Sequence, residues 1–129
     1  MDNDFDKVAN SLIEILGKNK VIKQSETLYE IDTNLIYNSQ NETIQVFLGQ
    51  EKEGMFLIDY GKNLFNLDLN IDELPKQKKA LLNEFLIFNN VSFHNNMFYI
   101  EVSKDSLRQG LSSLLAVLLI LPSIFEIKL

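Results

Sequence analysis

Apolar residues recur at three- and four-residue spacing over residues 4–16. Phe5, Val8, Ala9, Leu12, Ile15 and Leu16 fall on one stripe, which predicts an amphipathic helix. Gly17 follows where a left-handed cap would stop it. The stretch KNKVIKQSE reads as a polar connection. The period then changes to two. TLYEID (27–32) alternates, and TIQVFL (43–48) alternates more regularly, with Ile44, Val46 and Leu48 facing one way and Gln45 and Phe47 the other. NSQNE between them has turn chemistry. GMFLID (54–59) is the third predicted strand, joined to the second by the glycine-bounded polar loop GQEKEG, as in a hairpin. NLFNL is read as a short fourth strand or a lead into the next helix.

That helix is predicted from about Leu74 to Asn89, with Pro75 in its first turn and a broad apolar face of Ala80, Leu81, Leu82, Phe85, Leu86 and Phe88. VSF and MFYIEV then flank HNN, a tight turn in which Asn can take positive φ. The last predicted helix opens at Ser103 in SKDS, is lined by Leu107, Leu111, Leu114, Leu115, Leu118 and Leu119, and ends at Pro122. Gly110 inside it costs roughly 1 kcal/mol against Ala, and close packing would be a reason to keep it. The expected order is α-β-β-β-α-β-β-α. It gives one α+β domain over residues 1–129, an antiparallel sheet with helices packed on it.

Composition narrows the functions open to such a domain. The chain has 129 residues, 46% of them hydrophobic and 23% charged, the make-up of an ordinary globular domain. The net charge of −6 repels a phosphate backbone, and the densest basic cluster, Lys76, Lys78 and Lys79, fits a solvated helix face. Direct nucleic-acid binding is therefore not expected. The absence of cysteine removes disulfides, thiolate nucleophiles and thiolate metal sites. MDNDFDKVAN carries aspartates where a secretion signal would be basic, so a cytoplasmic location is expected. The apolar run Leu114–Leu121 falls short of the roughly 20 residues of a membrane span and reads as a buried or dimer-interface helix.

No reaction is written in the motifs. His94 is the only histidine, and it sits in the FHNN turn, so neither a nucleophile triad nor an ordinary zinc site can be assembled. DLNIDELPKQKK begins like a calcium loop at Asp68, Asn70 and Asp72. It then puts Glu73 where the turn needs Gly and Lys79 where a bidentate Glu belongs. Its acids are expected to cap the next helix instead. Asp59, Glu101 and Glu30 are the carboxylates that could serve acid–base work. Tyr29, Tyr37, Phe47 and Tyr99 could form a stacking face, although packing is the commoner use of such residues. No metal or cofactor is expected.

The stretch GMFLIDYGKNLFNL combines an acid and a glycine at a strand end. A turn accounts for it: the Asp59 carboxylate accepts from the Gly61 or Lys62 N–H, and Gly61 supplies positive φ. TIQVFLGQEKEGMFLIDYGKNLFNL and KKALLNEFLIFNNVSFHNNMFYIEV together resemble the bacterial and phage proteins grouped as domain of unknown function eighteen-twenty-eight. That pattern has an alternating strand, a second strand ending in an Asp-Asp-Gly-like turn, a double-leucine helix, a hairpin and a terminal helix. Asp59 and Gly61 match it, whereas Tyr60 stands where a second acid is common. The resemblance spans roughly residues 28–125. It implies a bacterial or mobile-element source and no catalytic residue. The element order and acidity are also similar to class I type III secretion chaperones, dimers that bind an unfolded effector segment.

These readings converge on a small acidic, non-catalytic protein-binding domain. The leading expectation is a phage or mobile-element inhibitor of a host defence protein, anti-CRISPR-like, which presents carboxylates to a basic partner. A homodimer through the last helix is expected. The contact residues expected to meet the partner are Asp59, Tyr60, Lys62, Asp68, Asp72 and Glu73. Two other readings are a chaperone-like binder of unfolded segments and a carboxylate-based small-ligand binder or enzyme.

Overall fold

The computed structural model describes residues 4–37 and 42–128. Helix α1 (Asp4–Leu16) leads into strands β1 (Val21–Ser25), β2 (Leu28–Tyr37), β3 (Glu42–Glu51) and β4 (Gly54–Ile58). Helices α2 (Lys62–Leu67) and α3 (Lys76–Asn89), strands β5 (Ser92–His94) and β6 (Met97–Glu101) and helix α4 (Leu107–Glu126) complete the chain. The six strands form one antiparallel sheet in the order β1-β2-β3-β4-β6-β5. The fold is thus α+β, an antiparallel sheet with helices packed on it.

The observed order has one strand and one helix more than expected. KNKVIKQSE is a 3-10 turn (Lys18–Lys20) followed by β1. Only Val21 of that edge strand is buried, so no two-residue alternation marks it. NLFNL lies in a helix, α2, with Leu64 and Leu67 turned into the core. Strand β2 runs past Asp32 because a bulge interrupts its alternation: Asp32 pairs with Gln45 and Ile36 with Thr43, so three residues stand opposite Ile44 alone. Asn34 takes φ 56 there, and the Thr33 hydroxyl donates to the Ile44 carbonyl. The NSQNE turn lies outside the described residues, except for Glu42, which starts β3.

The expected hairpin at HNN is present. Asn95 and Asn96 take φ 51 and 63, the double positive-φ pattern that matches the twist of two-residue hairpins. Pro75 is the N-cap of α3 rather than a residue of its first turn. Helix α4 opens at Ser106, three residues later than expected, and Pro122 lies inside it.

One apolar core lies between the helices and one face of the sheet. Phe5, Val8 and Leu12 of α1 and Leu114, Leu118 and Leu121 of α4 meet Ile31, Ile44, Val46, Leu48, Leu57 and Phe98. Helix α4 is long and apolar enough to cross a membrane by length and composition, and 44% of its apolar window is buried inside this fold. At Gly110 it packs tightly against Ile100, Val102 and Leu57. A Cβ there would sit 2.6 Å from Val102 Cγ1, which is the reason a helix interior tolerates Gly here. Helix α3 lies along α4, and Lys78 Nζ donates to the Phe125 carbonyl at the α4 C-terminus, where a cation is favoured.

Pro122 also explains a long-range bond. Its missing N–H leaves the Leu118 carbonyl without its usual partner four residues on. The buried Tyr37 hydroxyl donates to that carbonyl at 2.9 Å. The bond ties the end of β2 to the middle of α4, and burial pushes the Tyr37 pKa well above its ordinary value, with the Asp59 charge adding to the rise.

Candidate functional site

The turn after β4 is built around Asp59, which is 0% exposed. Its Oδ1 accepts from the Gly61 N–H at 3.0 Å and the Phe98 N–H at 2.9 Å, and its Oδ2 accepts from Asn63 Nδ2 at 3.0 Å. Asn63, also wholly buried, grips β3 with its amide: Nδ2 donates to the Gln45 carbonyl and Oδ1 accepts from the Gln45 N–H. Two side chains thus join β3, the end of β4 and β6. Burial pushes the Asp59 pKa above its ordinary value, against the downward pull of its N–H donors. Gly61 sits at φ 75, and a Cβ on it would come within 3.3 Å of the Asn96 carbonyl oxygen, so the turn and the hairpin tip need that glycine.

This turn carries Tyr60 onto the sheet face that the helices leave uncovered. Alternation sends Phe47, Phe56, Ile58 and Tyr99 to that face; Ile58 is buried there beneath its neighbours, and the three rings are half-buried. They are neighbours by register: Phe47 pairs with Ile58, and Ile58 pairs in turn with Tyr99. Tyr60, held at φ 51, folds its ring back over Gly49. Its hydroxyl donates to Glu51 Oε1 at 3.0 Å, and its ring meets Phe47 edge-on at 5.5 Å between centroids. Phe56 and Tyr99 form a second edge-on pair at 5.7 Å. Burial and the Glu51 carboxylate push the Tyr60 pKa up to about 12.

Two shallow concavities flank Tyr60. One, of about 490 Å³, is lined by Glu51, Glu53, Phe56, Ile58, Tyr60, His94, Met97 and Tyr99. The other, of about 580 Å³, lies against Phe47, Glu30, Lys62 and Asn66. Glu101, paired with Phe56, adds a further carboxylate on the same face. Among the described residues neither Glu53 nor Glu101 is in an ion pair. Acid and aromatic groups in this arrangement suit a cationic protein surface, through carboxylate pairing and through ring faces.

The residues expected to meet a partner are divided by the fold. Tyr60 and Lys62 reach the uncovered face. Asp59 does not: its carboxylate is enclosed and fully hydrogen-bonded, so it serves the turn. Asp68, Asp72 and Glu73 are exposed but lie on the connection after α2. Asp68 is the left-handed C-cap of α2, at φ 54. Asp72 and Glu73 belong to a 3-10 turn capped by Asn70, whose side chain accepts from the Asp72 N–H at 3.0 Å. They do not cap α3, whose first turn holds no acid.

The carboxylates considered for acid–base work are held apart. Asp59 is enclosed, and three strand spacings, roughly 14 Å, separate Glu30 on β2 from Glu101 on β6. Among the described residues no three His, Asp or Glu side chains gather as metal ligands would. The four rings considered for stacking also divide, Tyr29 and Tyr37 to the core, Phe47 and Tyr99 to the uncovered face. Glu51 and Glu53 went unnoticed in the sequence as face residues because they read as hairpin loop. On α4, the helix expected to join two copies, Leu119 is the large apolar side chain standing well exposed. The α3 face breaks open instead, with Ile87 70% and Phe88 88% exposed.

No curated protein and no solved structure matches the chain. A family model, domain of unknown function DUF1828, matches residues 35–120, which run from the end of β2 through most of α4 and take in the Asp59–Asn63 turn. The matched span is two-thirds of the chain, and the chain therefore belongs to the DUF1828 family.

Proposed function

We propose that this DUF1828 chain is a non-catalytic protein-binding domain that docks a basic partner on the uncovered face of its sheet. The carrying observation is that face: half-buried Phe47, Phe56, Tyr60 and Tyr99 edged by Glu30, Glu51, Glu53 and Glu101. An exposed apolar patch with a charged rim is the usual form of a protein-docking surface. The net charge of −6 would steer a cationic partner toward it and repel nucleic acid. A role consistent with both is inhibition, in the cytoplasm of a bacterial or phage-infected cell, by occupying a host protein's nucleic-acid-binding cleft.

Affinity capture from a host lysate tests the reading. The baits are the wild-type chain, Phe47→Lys and Glu101→Lys, each checked for fold by circular dichroism. A basic protein retained by the wild type, lost by both variants and released as salt rises supports the proposal. The same proteins on all three baits, or retention indifferent to salt, overturns it.

A further inference from the structure

We infer that the concavity between Tyr60 and Tyr99 is a pocket for one arginine side chain of the partner, an inference that rests on the docking reading above. Its walls are aromatic: Phe56, Tyr60 and Tyr99 stand around Ile58 and Met97 in a hollow of about 490 Å³. Ring faces attract cations, and a flat guanidinium stacks on them better than an ammonium does. Ile58 and Met97 offer an apolar bed for the methylene stem, which long cationic side chains lay along such surfaces. The rim supplies the charge. Glu53 is exposed and in no ion pair among the described residues, and Glu51 is exposed with one oxygen engaged by the Tyr60 hydroxyl.

The pocket is built rather than incidental. Gly49 leaves the space into which the Tyr60 ring folds: a Cβ at that position would lie 2.4 Å from the Tyr60 hydroxyl oxygen. Tyr60 itself is held at positive φ, a conformation uncommon for an aromatic residue, by the turn that Asp59 and Gly61 form. The Glu51 bond then fixes the hydroxyl. Backbone and hydrogen bonding thus place one wall of the hollow before any partner arrives, which lowers the ordering cost of binding. Charge selects the occupant, since the lining carries two carboxylates, Glu51 and Glu53, one imidazole, His94, and no lysine or arginine.

Fluorescence anisotropy with fluorescein-labelled nona-arginine tests the assignment. Glu51→Gln/Glu53→Gln keeps an oxygen for the Tyr60 hydroxyl and removes two charges. Glu14→Gln/Glu84→Gln removes two charges from exposed positions on the helix layer. The first pair should weaken binding about tenfold and the second less than about twofold. Tyr99→Leu, which removes one aromatic wall, should lose several-fold. Nona-lysine of equal charge should bind more weakly than nona-arginine.

Equal weakening by the two charge pairs would mean diffuse attraction and overturn the pocket, as would nona-lysine binding as tightly as nona-arginine. Full binding by a folded Tyr99→Leu, or no binding of nona-arginine by the wild type, would overturn it too. None of these results touches the wider docking reading. That reading stands or falls on capture by the Phe47→Lys and Glu101→Lys baits, which alter the face outside this lining.

Discussion

Asp59 has the appearance of a functional acid and the surroundings of a structural one. Both oxygens face donors, and those donors come from two segments far apart in sequence, the Gly61–Asn63 turn and Phe98, so the side chain acts as a clasp between β6 and the turn after β4. Asp59→Ala would strand two backbone N–H groups and the Asn63 amide, and should cost about 3–5 kcal/mol in chemical denaturation. Its pH behaviour follows from its raised pKa. The folded state binds the Asp59 proton more tightly than the unfolded chain, so the stability due to the neutral carboxyl is complete below the ordinary value of 3.8. That stability is lost as pH rises through the higher folded value. Asp59→Asn cannot titrate, so the stability difference between wild type and this variant should shrink in the wild type's disfavour as pH rises from about 4 toward neutrality. A difference that instead grew in favour of the wild type would show the three donors outweighing burial.

Among the elements, α4 shows how one local defect is repaired from a distance. A proline in a helix interior normally ends or kinks it, and the expected stop at Pro122 followed from that rule. The helix continues for four more residues because its apolar face is seated on the sheet and because Tyr37 takes up the Leu118 carbonyl. Tyr37→Phe should therefore destabilise by about 1–3 kcal/mol, the cost of an orphaned buried carbonyl. Pro122→Ala restores an N–H to that carbonyl. The two changes together should cost less than Tyr37→Phe alone, a coupling that a double-mutant cycle measures directly. Strict additivity would mean that the hydroxyl and the proline act independently.

For the whole molecule, the sheet divides the chain into an inner layer that holds it together and an outer face that the helices leave uncovered. Leu118 is wholly buried, so Leu118→Ala should cost about 2–5 kcal/mol. Phe88, on the outside of α3, should tolerate Phe88→Glu within about 0.5 kcal/mol, despite being the larger apolar residue. Thermal melts of the two variants compare these directly, and a large loss at Phe88 would mean that its exposed ring is covered in solution. The same division sets the proposed docking face apart from the core. A face with half-buried aromatic rings and exposed carboxylates is stable only because the opposite face supplies the burial.

Period and turn chemistry were legible in residues read one after another. The stripe of α1, the alternation of β3, the double-asparagine hairpin and the Asp59–Gly61 turn depend on contacts a few residues apart, and local pattern carries them. So did the net charge, which fixes the sign of the field a partner meets. The edge strand β1 was not legible, because one buried residue in five makes no pattern. Nor was the continuation of α4 past Pro122, which rests on a tyrosine 81 positions from the Leu118 carbonyl it takes up. The uncovered face needed the fold above all. Phe47, Tyr99, Tyr29 and Tyr37 are indistinguishable in sequence, and they part only when the strand order and register decide which side of the sheet the helices cover.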